Sequence, residues 1–413
     1  MEAKLWSLLH SPEGPLARYL DAIAQHLNEQ GFRRRTIAVQ IRLIAQFSLW
    51  LKEKAVSLDE LSDEHVVRYL QQTKRRRSVC PMVDLQPCLF RLMAFLRRAG
   101  TVKPLRPAPS VAASPIQAVV VAFGEHLRDV QALSRATCRH YLPFAEQFLI
   151  ERFGDGAVEL SNLCAADVVG FIRRQASRLS SSRAKSATIA MRSFLRYLRL
   201  RGDVTVDLVA AVPTVPNWSM TGIPRAIAPD HLRAVLESCR RDMPVGCRDY
   251  AILLLLARLG LRSGEIVALT LDSVDWERGC LTVIGSKSGQ SSELPLPVEV
   301  GSAIAEYLQR GRPRSDCRHL FLRANAPVRE LGSQTSIGSI VVAAIARAGV
   351  RPLHRGAHQF RHALACEMLR QGANLTEIGS LLRHQHQKTT SIYAKVDLAA
   401  LRSLSLTWPG VAR

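Results

Sequence analysis

Apolar residues recur at three- and four-residue spacing through most of the first 210 positions, the pattern of helices that bury one face. Two stretches of this pattern repeat each other. Thr36 and Gln46–Phe47 recur as Thr137 and Gln147–Phe148 at an offset of 101. At an offset of 102, Val66–Val67 with Tyr69 recurs as Val168–Val169 with Phe171. Phe95–Leu96–Arg97 ending at Gly100 likewise recurs as Tyr197–Leu198–Arg199 ending at Gly202. A nearly constant offset over several helices favours a duplicated module of four or five helices over chance similarity between bundles.

Two proline-rich stretches, Thr101–Ser114 and Val212–Pro229, interrupt the pattern and read as linkers. They divide the chain into helical modules at 1–105 and 115–212 and a third domain at 225–413. In the third domain Tyr250–Leu259 is apolar enough for a buried helix. Cys280–Ile284 and Glu293–Leu296 read as strands joined by the Gly- and Ser-rich hairpin Gly285–Ser292. Helical spacing returns from Gly301, with Gly372 as the cap after Gln359–Gln371. The expected fold is mainly α and multi-domain: two helical modules plus a mixed α+β domain with a small antiparallel sheet. Leu398, Leu401, Leu404, Leu406 and Trp408 in the tail predict a short terminal helix that wants a partner surface.

Composition narrows the setting. The longest apolar run, Ala251–Ala257, is too short to span a bilayer, and Met1–Leu8 lacks the pattern of a secretory signal. Nine scattered cysteines, without a CxxC pair, read as reduced thiols. The expected location is the cytoplasm, with no membrane partner.

Charge changes the picture more. Lys and Arg number 56 against 35 Asp and Glu, a net charge of +21. Basic residues outnumber acidic ones by 18 to 10 in 1–106, by 13 to 9 in 107–224 and by 25 to 16 in 225–413. A surplus in every segment suits a polyanion that touches all the domains, and nucleic acid is the favoured partner. Candidate phosphate contacts are Arg33, Arg34 and Arg35 before a helix start at Thr36, and Lys74, Arg75, Arg76 and Arg77 after a helix end. Arg173, Arg174, Arg178, Arg183 and Lys185, interleaved with serines, supply the second module's set. Any one cluster reads better as a solvated face; their recurrence on paired modules of a basic chain favours DNA.

Walker, GxGxxG and GxSxG motifs are absent, as is an acidic cluster for Mg²⁺, which argues against nucleotide hydrolysis and two-metal nuclease chemistry. What the third domain carries instead is Leu259-Gly260-Leu261-Arg262-Ser263-Gly264-Glu265, then Lys287 in the hairpin. His358-Gln359-Phe360-Arg361-His362 follows, then Leu381-Leu382-Arg383-His384, and lastly Tyr393. In this order and spacing the chain resembles the tyrosine recombinase (phage integrase) family, and within it the transposon and insertion-element type of site-specific recombinase. The family pattern is an Arg in a GLR-x-x-E turn, a hairpin Lys, an H-x-x-R box, a His or Trp, and a Tyr nine residues later. The likeness covers about 225–400 and extends to 115–212, including the entry Pro224–Ile227.

The resemblance implies a recombinase or integrase of a mobile element that cuts and rejoins DNA through a covalent 3′-phosphotyrosyl intermediate, without metal, ATP or other cofactor. It makes 115–212 a core DNA-binding module, and 225–413 the catalytic domain with its tail. Arg262 and Arg361 clamp the charge that develops on the phosphate, a task suited to two always-protonated, bidentate groups. Tyr393 is the nucleophile, Lys287 the general acid for the leaving oxygen, His358 the base, and His384 a donor to a non-bridging oxygen. Implied partners are double-stranded DNA at specific recombination sites, further copies of the chain (a dimer on a site, a tetramer in synapsis) and other recombinases. Rival readings are type IB topoisomerase-like relaxation and a non-catalytic DNA-binding accessory subunit.

Taken singly, each residue has a plainer reading. Arg262 would be a helix cap paired with Glu265, and Tyr393 an ordinary half-buried tyrosine. His358 and His362 imitate a zinc pair, although Gln359 stands where the HExxH pattern needs Glu. The ordered set outweighs these readings. Two departures stand out: Arg383 occupies a place where the family commonly has Gly, and the module at 1–105 is one more than simple members carry.

Overall fold

The computed structural model describes residues 6, 11–74, 85–103, 114–154, 156–215, 224–285 and 289–396. Two compact units emerge, one made of Met1–Pro104 with Gly222–Arg413 and the other of Leu105–Thr221. The first four helices are α1 (Leu20–Glu29), α2 (Arg34–Glu53), α3 (Asp63–Lys74) and α4 (Leu85–Arg98). Each turns its apolar stripe onto a core that includes Ile41, Phe47, Val66, Leu92 and Leu96.

The Leu105–Thr221 unit holds α5 (Pro115–Glu125), α6 (Arg135–Phe153), α7 (Ala165–Arg178) and α8 (Ser181–Arg201). Ser114 caps α5 and Ser134 caps α6, each side chain accepting a backbone N–H of the first turn. The repeat seen in the sequence returns as packing. Phe47 meets Tyr69 at 5.0 Å between ring centroids, and their counterparts Phe148 and Phe171 meet at 5.4 Å. Gly100 and Gly202 both adopt positive φ, at +69° and +81°, and close α4 and α8 in the same way. The N–H of Thr101 reaches back to the Leu96 carbonyl, as that of Asp203 does to the Leu198 carbonyl.

From Pro229 the chain forms α9 (Pro229–Glu237), α10 (Pro244–Arg258) and α11 (Ser263–Ala268). α10 is buried on nearly every face, so the other elements gather round it. The sheet is β1 (Val274–Asp275), β2 (Cys280–Ile284) and β3 (Ser291–Pro295), antiparallel in that order, with Leu281 opposite both Val274 and Leu294. β3 begins two residues before the predicted strand because Ser291 and Ser292 pair with Ile284 and Val283, and serines carry no strand signal. Next come α12 (Val298–Glu306), α13 (Gln334–Arg347), α14 (His358–Arg370), α15 (Leu375–Leu381) and α16 (Gln387–Thr390), then a short 3₁₀ turn over Ser391–Val396. The mainly α architecture with a small antiparallel sheet is the one the sequence led us to expect. Among the described residues no helix is long and apolar enough to cross a membrane. The tail expected to form a terminal helix lies outside the described residues.

The ring cluster predicts how the Leu105–Thr221 unit fails. Phe194 is fully buried against Phe123 (centroids 5.1 Å) and Phe148 (6.5 Å). Phe194→Ala should therefore cost about 3–5 kcal/mol through lost transfer energy and an unfilled cavity. Amide exchange in the full-length variant should accelerate in α5, α6 and α8 while α10 keeps its protection. Equal acceleration in α10 would contradict two separately packed cores.

Candidate active site

A cleft of about 920 Å³ opens in the third domain. Arg262, Glu265, His358, Arg383 and His384 line it, together with Gly285 and Gln290 from the two ends of the β2–β3 hairpin. Lys287, between those ends in sequence, lies outside the described residues.

The GLR-x-x-E turn shows why each residue is needed. Gly260 has φ +56°, and a Cβ there would sit 2.8 Å from the Leu382 side chain, so both backbone and space call for glycine. Arg262 is the N-cap of α11, and Glu265 three residues on reaches back to accept the Arg262 backbone N–H at 2.9 Å, while its own N–H goes to the Arg262 carbonyl. The same carboxylate accepts Arg262 Nη1 at 2.7 Å and Arg383 Nη2 at 2.9 Å, and Glu265 is only 1% exposed. Burial pushes this carboxyl up, but the Arg262 N–H and the two guanidiniums outweigh it and hold it below its ordinary value of 4.5.

Arg361 sits behind this layer, 2% exposed, on the first turn of α14. Its Nη1 donates to the Gly260 carbonyl at 2.5 Å and its Nη2 to the Leu382 carbonyl, so one buried cation ties the α10–α11 turn to the end of α15. Burial, with Arg262 and Arg383 nearby, draws its pKa down to about 10, which leaves it charged at neutral pH.

α15 ends in a Schellman motif. The N–H of Arg383 bonds to the Ser380 carbonyl, and the N–H of His384 to the Gly379 carbonyl. This puts Arg383 at the left-handed position, φ +53°, where glycine is favoured and a side chain costs ~1–2 kcal/mol. His384 Nδ1 bonds Thr390 Oγ1 at 2.7 Å, which leaves Nε2 as the nitrogen for a ligand. Burial and the charges of Arg361 and Arg262 pull His384 down to about 4, so it is neutral at pH 7.

Tyr393 stands in the 3₁₀ turn after α16, 1% exposed among Ala365, Cys366, Ile378 and Leu382. Burial pushes its phenol up to about 12, against the opposing pull of Arg361. Its hydroxyl shares a 3.0 Å hydrogen bond with His362 Nδ1. The residue that the sequence nominated as base, His358, lines the cleft instead, its ring 4.8 Å from that of His362. Burial and the His358 ring, with Arg361 and Arg225, lower His362 to about 4, so this imidazole is free to accept a proton at pH 7.

Sequence reasoning did not rank His362 or Thr390 as site residues, raised Arg383 only as an added phosphate contact beside its departure from Gly, and read Glu265 as structural, orienting the turn. The i, i+4 relation of His362 to His358 was visible, but which of them meets Tyr393 depends on a contact 31 positions away. The histidine group assembles no ligand triad among the described residues. Among the described residues the metal-type atoms that converge belong to Cys317, His319 and Glu330, none of which lines the cleft. Arg33, Arg34, Arg35, Arg173, Arg174, Arg178, Arg183 and Lys185 are all exposed, with Arg174 paired to Glu151 at 2.9 Å. The side chain of Lys74 and all of Arg75, Arg76 and Arg77 lie outside the described residues.

Comparison with known proteins gives this arrangement its place. The Phage integrase family matches residues 225–399. Over 412 residues, 99% of this chain and 98% of the other, the sequence is 47% identical to y4rA of Sinorhizobium fredii, to which an integrase/recombinase role is provisionally assigned. The chain belongs to the phage integrase family of tyrosine recombinases. That makes it an enzyme of DNA breakage and rejoining. Tyrosine recombinase XerA of Pyrococcus furiosus is 26% identical over 284 residues, 69% of this chain and 91% of XerA. XerH site-specific recombinase bound to its palindromic difH substrate shares the fold, with TM-score 0.54 and 19% identity over 73% of this chain and 98% of that one. So does the Tn1549 transposon integrase with a circular intermediate DNA, with TM-score 0.53 and 14% identity over 70% and 99%.

The buried Glu265 makes a testable hinge of the recombinase site. Glu265→Gln should destabilise the protein by roughly 3 kcal/mol, the low end for breaking a buried ion pair, since Arg262 keeps some access to water. A carboxyl held below 4.5 contributes stability that is complete above that value and is lost as pH falls through its folded-state value. Denaturation midpoints of parent and variant should therefore differ most at pH 6–8 and converge on acidification. A gap that persists unchanged at pH 3 would contradict this assignment.

Proposed function

We propose that this recombinase acts on a mobile element, cutting each DNA strand with Tyr393 to leave a 3′-phosphotyrosyl bond and rejoining it by the reverse transesterification. One observation carries the reading: Arg262, His358 and His384 share a cleft, and the same domain buries Arg361 and Tyr393, the latter bonded to the half-buried His362. Arg262 and Arg361 supply positive charge for the pentacoordinate phosphate, and both remain protonated at working pH. His384 offers Nε2–H to a non-bridging oxygen while Thr390 fixes its ring. The phenol stays protonated until it attacks, so its proton leaves as the P–O bond forms, to the neutral imidazole of His362 or, once the turn shifts, of His358. Lys287 protonates the departing 5′-oxygen.

Charge in this scheme comes from arginine, so no metal or nucleotide is required. Residues 115–212 grip duplex DNA as the core-binding module, 225–413 is the catalytic domain, and 1–105 adds contacts through Arg33–Arg35 and Lys74–Arg77. Recombination needs two sites, so the working form is a dimer on each site and a tetramer in synapsis. The solved complexes of XerH with its palindromic difH substrate and of the Tn1549 integrase with a circular intermediate DNA support DNA as the substrate.

The experiment is adduct formation on a nicked suicide duplex. The parent should give an SDS-resistant protein–DNA species in EDTA without nucleotide; Tyr393→Phe should bind the duplex and give none. Loss of parental activity in chelator with recovery on Mg²⁺ or Zn²⁺ would refute the metal-free scheme. A second comparison separates chemistry from grip. Arg262→Ala or Arg361→Ala should slow single-turnover cleavage by orders of magnitude with modest loss of binding. Neutralising Lys74–Arg77 should weaken binding and flatten its salt slope by about 0.9 per lost phosphate contact, leaving cleavage of bound DNA near the parental rate. An unaltered slope would remove that run from the interface.

A further inference from the structure

Arg383 holds a backbone position that favours glycine, φ +53° at the end of α15, and yet carries the largest cationic side chain. Strain of this kind persists where the side chain is used. The guanidinium forms part of the cleft wall at 12% side-chain exposure, with Nη2 on Glu265 and Nη1 on the Leu381 carbonyl at 3.1 Å. Its Nε is buried and meets no acceptor among the described residues. An arginine N–H without a partner in the interior is costly, and a ligand oxygen removes that cost.

The charge around it points to the ligand's sign. Arg262, Arg361 and Arg383 surround one carboxylate, Glu265, while burial and the neighbouring arginines lower His358 and His384 below the ordinary imidazole value of 6.5. With Arg361 counted behind the wall, the site carries a surplus of two positive charges, and Arg383 is among the charges that make the Arg361 cation less favourable. A bound phosphodiester relieves both.

We propose that Arg383 is a third phosphate-binding arginine, donating its Nε–H to a non-bridging oxygen of the scissile phosphodiester that Arg262 and Arg361 also hold. The inference rests on the reading of the cleft given above. It assigns a catalytic contact to a position at which the family commonly carries only backbone.

Arg383→Gly is the informative variant because glycine keeps the left-handed turn and removes the guanidinium; Arg383→Lys keeps the charge without the fork. Each would be assayed for single-turnover adduct formation at saturating protein. The suicide duplexes would carry either the natural scissile phosphate or, as separate stereoisomers, a neutral methylphosphonate. Arg383→Gly should react about tenfold or more slowly on the phosphodiester, with Arg383→Lys between. On the isomer lacking the contacted oxygen the glycine variant's deficit should shrink below about threefold. A parental rate on the phosphodiester would overturn the proposal. So would an equal deficit on the phosphodiester and both isomers, the result expected if Arg383 only steadies Glu265. If Arg383→Gly melts lower, Arg383→Lys decides by the same comparison. A parent that forms no adduct on any substrate would instead refute the cleft reading, and this inference with it.

Discussion

The Arg361 guanidinium, buried and donating to the carbonyls of Gly260 and Leu382, is the interaction on which the site depends. A charge taken out of water is tolerable only where fixed dipoles replace its hydration. Here the dipoles belong to backbone 101 and 21 residues away, so satisfying the cation fixes three parts of the chain against one another. Gly260 must be glycine to let that carbonyl close in, and α15 must end at Leu382 to present the other. Arg262, next but one to Gly260, and His384, two beyond Leu382, are placed by the same tie.

Around this cation the titrating groups settle into one pattern. Glu265 is held ionised by its two arginines, the histidines are held neutral, and Tyr393 is held protonated beneath the surface. This is a site rich in positive charge and poor in mobile protons, one in which the substrate's own negative charge completes the balance. Tyr393 does not line the cleft, so the proposed attack would require the Ser391–Val396 turn to shift. That turn belongs to the small cluster with Ile378 and Leu382 rather than to the large core around α10, so its movement leaves the main core intact.

Much of this was legible in the sequence, for identifiable reasons. Helix periodicity and the offset of about 101 residues located the paired bundles because both are local patterns, and the matched rings of Phe47–Tyr69 and Phe148–Phe171 express them in three dimensions. The GLR-x-x-E turn was readable because Arg262 and Glu265 pair within one helical turn, and the H-x-x-R box because His358 and Arg361 stand one turn apart on α14, although the partners of Arg361 are distant. His362 on Tyr393, Thr390 on His384 and Arg383 on Glu265 were not, since each pairing joins elements that only the fold brings together. The start of β3 escaped for a smaller reason: its first residues are serines, paired by register alone.

The most direct measurement is the chemical identity of the protein–DNA bond. A suicide duplex trapped on the full-length enzyme, digested with protease and nuclease and sequenced by mass spectrometry, should carry its residual nucleotide on the peptide containing Tyr393, attached through the phenolic oxygen. A nucleotide carried instead on Tyr307, Tyr250 or any serine, or an active enzyme with no covalent adduct, would contradict the account.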